Sequence, residues 1–298
     1  MKKNILLIGG CGYIGTALYD SLSLTHEVTS VDIEWFGRTN DQNSKLDYTD
    51  LLSQDIRKYD AVILTAAHSS VPMCNTDHAG AFQNNVIKFI QFVNKLSPSQ
   101  KFIHASSSCV YIKSDLDGAV ESQPLKPNDM LSFSKTTIDH YLEAFNPCEW
   151  YALRFGSVNG WSRNLRTDLM INAMTTNAIL DNKLYVTNGD SYRPILGMRD
   201  LVNAVRTIVE SNEDKRGVYN VASFNTNIRD AGKSVARILG CPLEESKGEK
   251  SYDFCINTDK FIKAYNFKFN ETLDSIVRSI VDNKDQLSRT SFPPRKVR

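Results

Sequence analysis

The chain has no long hydrophobic run, no surplus of charge and no paired cysteines, and each absence removes a class of function. Its 298 residues carry 35 Lys plus Arg against 34 Asp plus Glu, a balance that gives no electrostatic reason to expect nucleic-acid or membrane-surface binding. The six cysteines (Cys11, Cys74, Cys109, Cys148, Cys241 and Cys255) lack Cys-x-x-Cys spacing, so neither a zinc site nor a disulfide framework is indicated, and a reducing, cytoplasmic setting fits best. The apolar run Asn4–Ile8 is too short for a signal peptide or a membrane span, and no later segment is long enough to span. His26, His68, His78, His104 and His140 show no paired ligand spacing, so no metal site is expected and packing is their ordinary role. No internal repeat or low-complexity tract is present.

What is there is an alternation of short apolar runs and longer amphipathic ones, the pattern of a parallel sheet with crossover helices. Strands are expected over 4–8, 27–31, 61–66, 101–106 and 150–155, with helices over 13–24, 78–96 and 131–145. This is an α/β, Rossmann-type doubly wound sheet with a smaller C-terminal lobe. Residues 1–156 form the dinucleotide-binding part, to which 191–222 return. The substrate lobe takes 157–190 and 223–285, with a helix near 168–180 and a strand at 184–186. Residues 286–298, rich in proline and cations, are expected to fray as a tail.

The strongest local motif is Gly9-Gly10-Cys11-Gly12-Tyr13-Ile14-Gly15, which follows an apolar strand and opens a helix. A tight turn, close approach of backbone to a pyrophosphate and helix packing each require a missing side chain, and the helix N-terminus offers free amides. Asp32, 23 residues after Gly9, ends the second strand, where a carboxylate accepts from ribose hydroxyls and repels a 2′-phosphate, favouring NAD over NADP. Arg38, the first arginine downstream, is not adjacent. Asp47 either accepts from the adenine amino group at the end of a third strand or, with Asp50, caps a helix.

These pieces, with Leu64-Thr65-Ala66-Ala67-His68, Asn84-Asn85-Val86, Ala105-Ser106-Ser107-Ser108-Cys109-Val110-Tyr111 and Ser134-Lys135, resemble the extended short-chain dehydrogenases/reductases of the NAD-dependent epimerase/dehydratase class. The resemblance covers nearly the whole length. It implies NAD bound by Gly9, Gly12, Tyr13, Ile14, Gly15, Asp32, Asp47, Ala66, Ala67, Asn85, Lys135 and Phe155. It implies a nucleotide-sugar substrate near Ser107, Asn159, Arg166, Asn172 and Arg193, with Arg163 as a further candidate. Guanidinium forks suit diphosphate oxygens. Tyr192-Arg193-Pro194 and Arg199-Asp200-Leu201-Val202 are similar to the class's phosphate-binding arginine segment.

Catalysis in that class uses a tyrosine to exchange a sugar hydroxyl proton while hydride moves to or from nicotinamide. By motif alignment Ser107 takes the serine position and Lys135 the lysine position, but Leu131 stands where the tyrosine belongs, four residues before Lys135. Leucine cannot titrate, and positioned acid–base catalysis is worth roughly 100- to 10,000-fold. Ser107 could instead cap a strand end, and Lys135 could reach solvent. Tyr111 either packs or turns its hydroxyl into the site. Ser108 and Cys109 replace the acidic pair of the 4,6-dehydratases, disfavouring that reaction, and Ile112 replaces a glycine. The expected function is NAD-dependent epimerisation, or oxidation and reduction, at a sugar hydroxyl. The alternative is a protein that binds both ligands with little or no turnover. A homodimer is expected through helices 78–96 and 131–145, where Phe82, Phe89, Phe92 and Val93 offer apolar contacts, although a covered internal face would look the same.

Overall fold

Parity along the strands decides which side of the main sheet each residue enters. A computed structural model describes residues 1–111, 114, 116–145, 148–248 and 252–287. Ile112 and residues 288–298 of the expected tail lie outside the described residues. The strands are β1 Asn4–Ile8, β2 Glu27–Asp32, β3 Asn43–Lys45, β4 Ala61–Leu64, β5 Lys101–Ser107, β6 Glu149–Phe155, β7 Ser157–Asn159, β8 Leu184–Thr187, β9 Tyr192–Gly197, β10 Gly217–Val221, β11 Phe224–Asn227 and β12 Leu243–Ser246. Seven of them form a sheet in the order β10-β6-β5-β4-β1-β2-β3, and every pairing in it is parallel. Chain order reverses between β1 and β4, which opens a crevice at their carboxyl ends.

The helices are α1 Tyr13–Leu22, α2 Ser53–Ile56, α3 Val71–Thr76, α4 His78–Phe82, α5 Lys88–Val93, α6 Met130–Phe145, α7 Met170–Asp181, α8 Met198–Glu210, α9 Ile228–Leu239, α10 Asp259–Tyr265 and α11 Leu273–Val281. Ile5, Leu7, Ile63, Ile103 and Leu153 face Leu18 and Leu22 of α1 and Leu201, Val205 and Ile208 of α8. The alternate residues Leu6, Ile8, Val62, Leu64 and Phe102 face Phe89, Phe92 and Val93 of α5 and Ile138 and Leu142 of α6. With both faces covered the strands read as continuous apolar runs, and each fully buried Leu, Ile or Phe contributes roughly 1.5–3 kcal/mol. A separate apolar cluster joins α7, α9 and α11 to β8 and β9. There β9 pairs antiparallel with β11 and parallel with β7, while β8 pairs with β12.

Two expectations change. The helix over 78–96 is not continuous: a π-helical turn at Gln83–Ile87 separates α4 from α5. The widened turn carries Asn85, whose amide accepts from the His68 backbone N–H at 2.8 Å and donates to the His68 carbonyl at 3.1 Å. Such turns persist where an inserted residue makes contacts a regular helix could not. Phe89, Phe92 and Val93, proposed above as dimer contacts, are at most 1% exposed and belong to the core. Their apolar periodicity records burial against the sheet.

The polar centre of the fold is Arg154 on β6, paired with Asp139 on α6 at 2.8 Å with both side chains almost fully buried. Ser106 donates to the same carboxylate at 2.8 Å, and Arg154 donates to the Tyr111 hydroxyl at 2.6 Å. Tyr111 in turn donates to Asn220 Oδ1 at 2.9 Å, so its hydroxyl is committed to the core. Arg154→Met strands a buried carboxylate and is expected to cost about 3–5 kcal/mol of stability in denaturant titration. Arg154→Met with Asp139→Leu should recover most of that loss; equal stability of the single variant and the parent would show that the pair does not secure α6.

Candidate active site

The cofactor end of the cleft is built mainly from backbone. Gly9 has φ +88°, and a Cβ there would stand 2.6 Å from Ala66 N, while a Cβ on Gly15 would stand 1.9 Å from the Gly9 carbonyl oxygen. At Gly12 a Cβ would meet that same oxygen at 3.3 Å and no other atom within 4 Å, so the room above Gly12 belongs to the cleft. No side chain caps the first turn of α1, which leaves its amides for an anion. Asp32 at the end of β2 accepts from Cys11 N at 3.0 Å and Glu34 N at 2.6 Å. Burial pushes its carboxyl up despite those donors, and its remaining lone pairs line the cleft with Ile14, Ala66, Ala67, Asp47 and Trp35.

Asp47 caps a short 3-10 turn and also borders the cleft. It accepts from Thr49 N at 3.0 Å. It also pairs with Lys88. Burial would raise its carboxyl, but the Lys88 ammonium and the Thr49 donors hold it below the usual range. Arg38 pairs with Glu34 at 3.0 Å and donates to the Asn43 carbonyl at 2.6 Å. Asn85 stands behind the wall, tying the His68 backbone to Ser134 at 3.2 Å.

Tyr13 fastens the glycine turn to the lobe. Its hydroxyl donates to the Gly160 carbonyl at 2.7 Å and accepts from Asn172 Nδ2 at 3.0 Å; burial pushes it well above the ordinary tyrosine range. Asn164 reaches the Cys11 carbonyl at 2.7 Å, and Ser162 the Tyr13 carbonyl at 2.7 Å.

The cofactor end continues into a reaction end, because Tyr13, Ile14, Thr65, Ala67, Ser69 and Arg166 line both. Ser107, Cys109, Leu131, Lys135 and Phe155 meet there. β5 ends at Ser107, whose Oγ accepts from Cys109 N at 3.2 Å, so this serine both caps and faces the cavity. Asp129 begins α6 by accepting from Ser132 N at 2.8 Å, which places Leu131 and Lys135 on its first turns. Lys135 does not reach solvent: it is 5% exposed and donates to the Ala105 carbonyl at 2.7 Å. Burial lowers its amine from 10.5 to about 8, opposed by Cys109, Asp139 and Cys74.

The structure sorts the substrate candidates. Arg166 and Arg193 line the reaction end. Arg166 is held by Asp168 at 2.6 Å, and Arg193 donates to the carbonyls of Tyr192 and Tyr252. Arg163 is latched to Asp20 at 2.5 Å and does not line the cleft. Asn159 and Asn172 are fully buried. Asn159 Oδ1 accepts from Ile171 N at 3.0 Å, and Asn172 Oδ1 from Gly160 N at 2.8 Å, so both amides build the wall behind the cavity. Arg199 pairs with Glu271 at 3.1 Å, while Asp200 accepts from the Glu271 N–H at 2.9 Å. Sequence reasoning missed Trp35 and Tyr252. Trp35 lies against His68 with ring centroids 5.0 Å apart, and the Tyr252 hydroxyl donates to Asp129 at 3.0 Å. Neither sits in a motif, so only folding reveals them.

The crevice at the strand ends, the glycine turn and the cleft-lining carboxylate of Asp32 define a dinucleotide-binding class of protein with an adjoining cavity. The model of the NAD dependent epimerase/dehydratase family matches residues 5–222, and the chain belongs to that family. Among solved structures it is similar to a UDP-N-acetylglucosamine 4-epimerase from Methanobrevibacter ruminantium M1, at 23% identity and TM-score 0.81, covering 95% of this chain and 100% of that one. A UDP-glucuronic acid 4-epimerase from Bacillus cereus matches at 20% identity and TM-score 0.83, covering 96% and 100%. An ADP-L-glycero-D-manno-heptose-6-epimerase from Helicobacter pylori matches at 19% identity and TM-score 0.83, covering 96% and 97%. At these identities the likeness is one of fold.

The open space over Gly12 and the lone pairs of Asp32 fit NAD. Replacing Asp32 by Asn removes a charged acceptor worth about 1.5–3 kcal/mol. Calorimetry should show NAD affinity falling about 10- to 100-fold and the preference over NADP narrowing; unchanged affinity would remove Asp32 from the ribose site.

Proposed function

We infer that the protein is an NAD-dependent enzyme acting on a nucleotide-linked sugar, by epimerisation or by oxidation and reduction at a sugar hydroxyl. The observation that carries this reading is one cleft running from the glycine turn and Asp32 past Ser107 and Lys135 to Arg166 and Arg193. Bound NAD supplies a hydride acceptor. Gly9, Gly12, Gly15 and the α1 amides serve its diphosphate and Asp32 its ribose, while Lys135 and Phe155 face the nicotinamide end. Ser107 orients the reacting sugar oxygen, and Arg166 and Arg193 serve the substrate diphosphate. A second reading, binding of both ligands with little turnover, draws on Leu131, which lines the cavity without an ionisable group.

The reading includes a cytoplasmic homodimer. All six cysteines are free, which suits a reducing compartment. Among the described residues no helix is long and apolar enough to cross a membrane. The dimer contact falls on the outer faces of α4 and α6, where Phe82 stacks on Phe133, a residue 47% exposed.

Two measurements follow. In single-turnover absorbance at the reduced-nicotinamide band, with NAD and a panel of nucleotide sugars, the unmodified protein is expected to transfer hydride and Leu131→Tyr to do so faster. An inert parent beside an active Leu131→Tyr makes the binding reading the correct one. Light scattering of Phe133→Asp should give half the parent mass, whereas an unchanged mass places the contact elsewhere or removes it.

A further inference from the structure

Among the described residues lining the reaction end, Lys135 is the sole lysine, and its amine is under-used by the protein. An ammonium has three donors, yet Nζ makes one hydrogen bond, to the Ala105 carbonyl at 2.7 Å. The residue is buried and lines the cavity, so its other hydrogens are left for whatever occupies that space. One helical turn earlier Leu131 lines the same cavity, as side chains four apart on a helix share a face. Leucine fills less of that space than a tyrosine would and offers no hydroxyl to stand between the amine and a bound sugar.

We propose that Lys135 is itself the proton-transfer residue, doing with its amine what a tyrosine at position 131 would do with its phenol. The assignment rests on the nucleotide-sugar reading above. In the oxidising half-reaction the sugar O–H bond breaks and its proton passes to the neutral Lys135 amine. The C–H bond on the same carbon breaks and its hydrogen leaves with both electrons to NAD, so the carbon becomes a ketone and the lysine an ammonium. In the return half-reaction the hydride comes back to the carbonyl carbon, and the ammonium returns its proton to oxygen.

The surroundings favour this assignment over other protic groups. Cys109 beside β5, Cys74 on α3, His104 on β5 and Asp139 on α6 are the titratable groups acting on Lys135. Burial pushes the Cys109 thiol up to about 12 and Cys74 to about 11, so both stay protonated near neutrality. Burial drives His104 well below its ordinary range, leaving it neutral. Asp139 is already paired with Arg154 at 2.8 Å. Tyr252, also on the cavity wall, is pushed up to about 12 by burial and by Asp129. The lysine, at about 8, is the member of this set that exchanges a proton in the working range.

The test uses the full chain with NAD and UDP-, GDP- and dTDP-hexoses, following reduced nicotinamide in single turnover across pH. NAD affinity is measured separately for each variant. Oxidation by the parent should rise about tenfold per pH unit below about 8 and level off above it, since a base acts only when unprotonated. Reoxidation of the reduced cofactor by the ketone should be level below about 8 and fall about tenfold per pH unit above it, since an acid acts only when protonated. Lys135→Arg, which keeps a cation that does not deprotonate, should lose roughly 100- to 10,000-fold in rate at saturating NAD. In Leu131→Tyr the midpoint should leave the lysine value. A flat parent profile, a Lys135→Arg variant at full rate, or a loss that instead follows Tyr252→Phe overturns the assignment. A parent inert at every pH beside a reactive Leu131→Tyr overturns it while the substrate reading stands. If neither protein turns over any sugar, the assignment and the enzymatic reading both fall, and the binding reading is left.

Discussion

Asp139 is a carboxylate 1% exposed to solvent, and the geometry of the reaction end depends on how that charge is compensated. An unpaired charge in that position would cost several kcal/mol. The Arg154 guanidinium and the Ser106 hydroxyl both reach it at 2.8 Å, and this locks one register of α6 against β5 and β6. Lys135 lies one turn earlier on α6, and Ser107 follows Ser106 at the end of β5. The network extends through Tyr111 to Asn220 on the edge strand β10. Two cavity-lining residues on different elements are therefore placed by a pair that never touches the cavity.

The two ends of the cleft follow different physical rules. At the cofactor end the decisive groups are amides and missing side chains, so substitutions act by collision: a methyl at position 15 would enter the Gly9 carbonyl. At the reaction end the decisive groups are side chains in a low-dielectric wall, where the protonation state of Lys135 responds to burial. Tyr13 joins the ends, because it opens α1 while its hydroxyl is held by Gly160 and Asn172. Leu131 alters the reaction end alone, since nothing in the glycine turn depends on it.

Much of this was legible in one dimension. Strand period and glycine spacing are local properties, and the five strands expected from 4–8 to 150–155 fall within two residues of those observed. The π-helical turn was not legible, because it exists for a bond between Asn85 and a distant loop at His68. Phe89, Phe92 and Val93 carry the same apolar signature whether they face a partner or a sheet, and they face the sheet. The side chains of Asn159 and Asn172 are consumed by backbone amides, a fact invisible until those amides are placed. Arg163 and Arg166 lie three residues apart, yet one latches to Asp20 while the other lines the cleft.

By itself the sequence determined the doubly wound sheet, the glycine turn with Asp32 at the next strand end, and a non-ionisable leucine four residues before Lys135. Each follows from residue type at short spacing, where sterics and hydrophobic period act without long-range contacts. Tertiary structure decided which polar groups face the cleft and which are spent holding it, and it decided the burial of the Lys135 amine. Those outcomes depend on what packs around a group from distant parts of the chain, and desolvation and pairing energies have no counterpart in residue order.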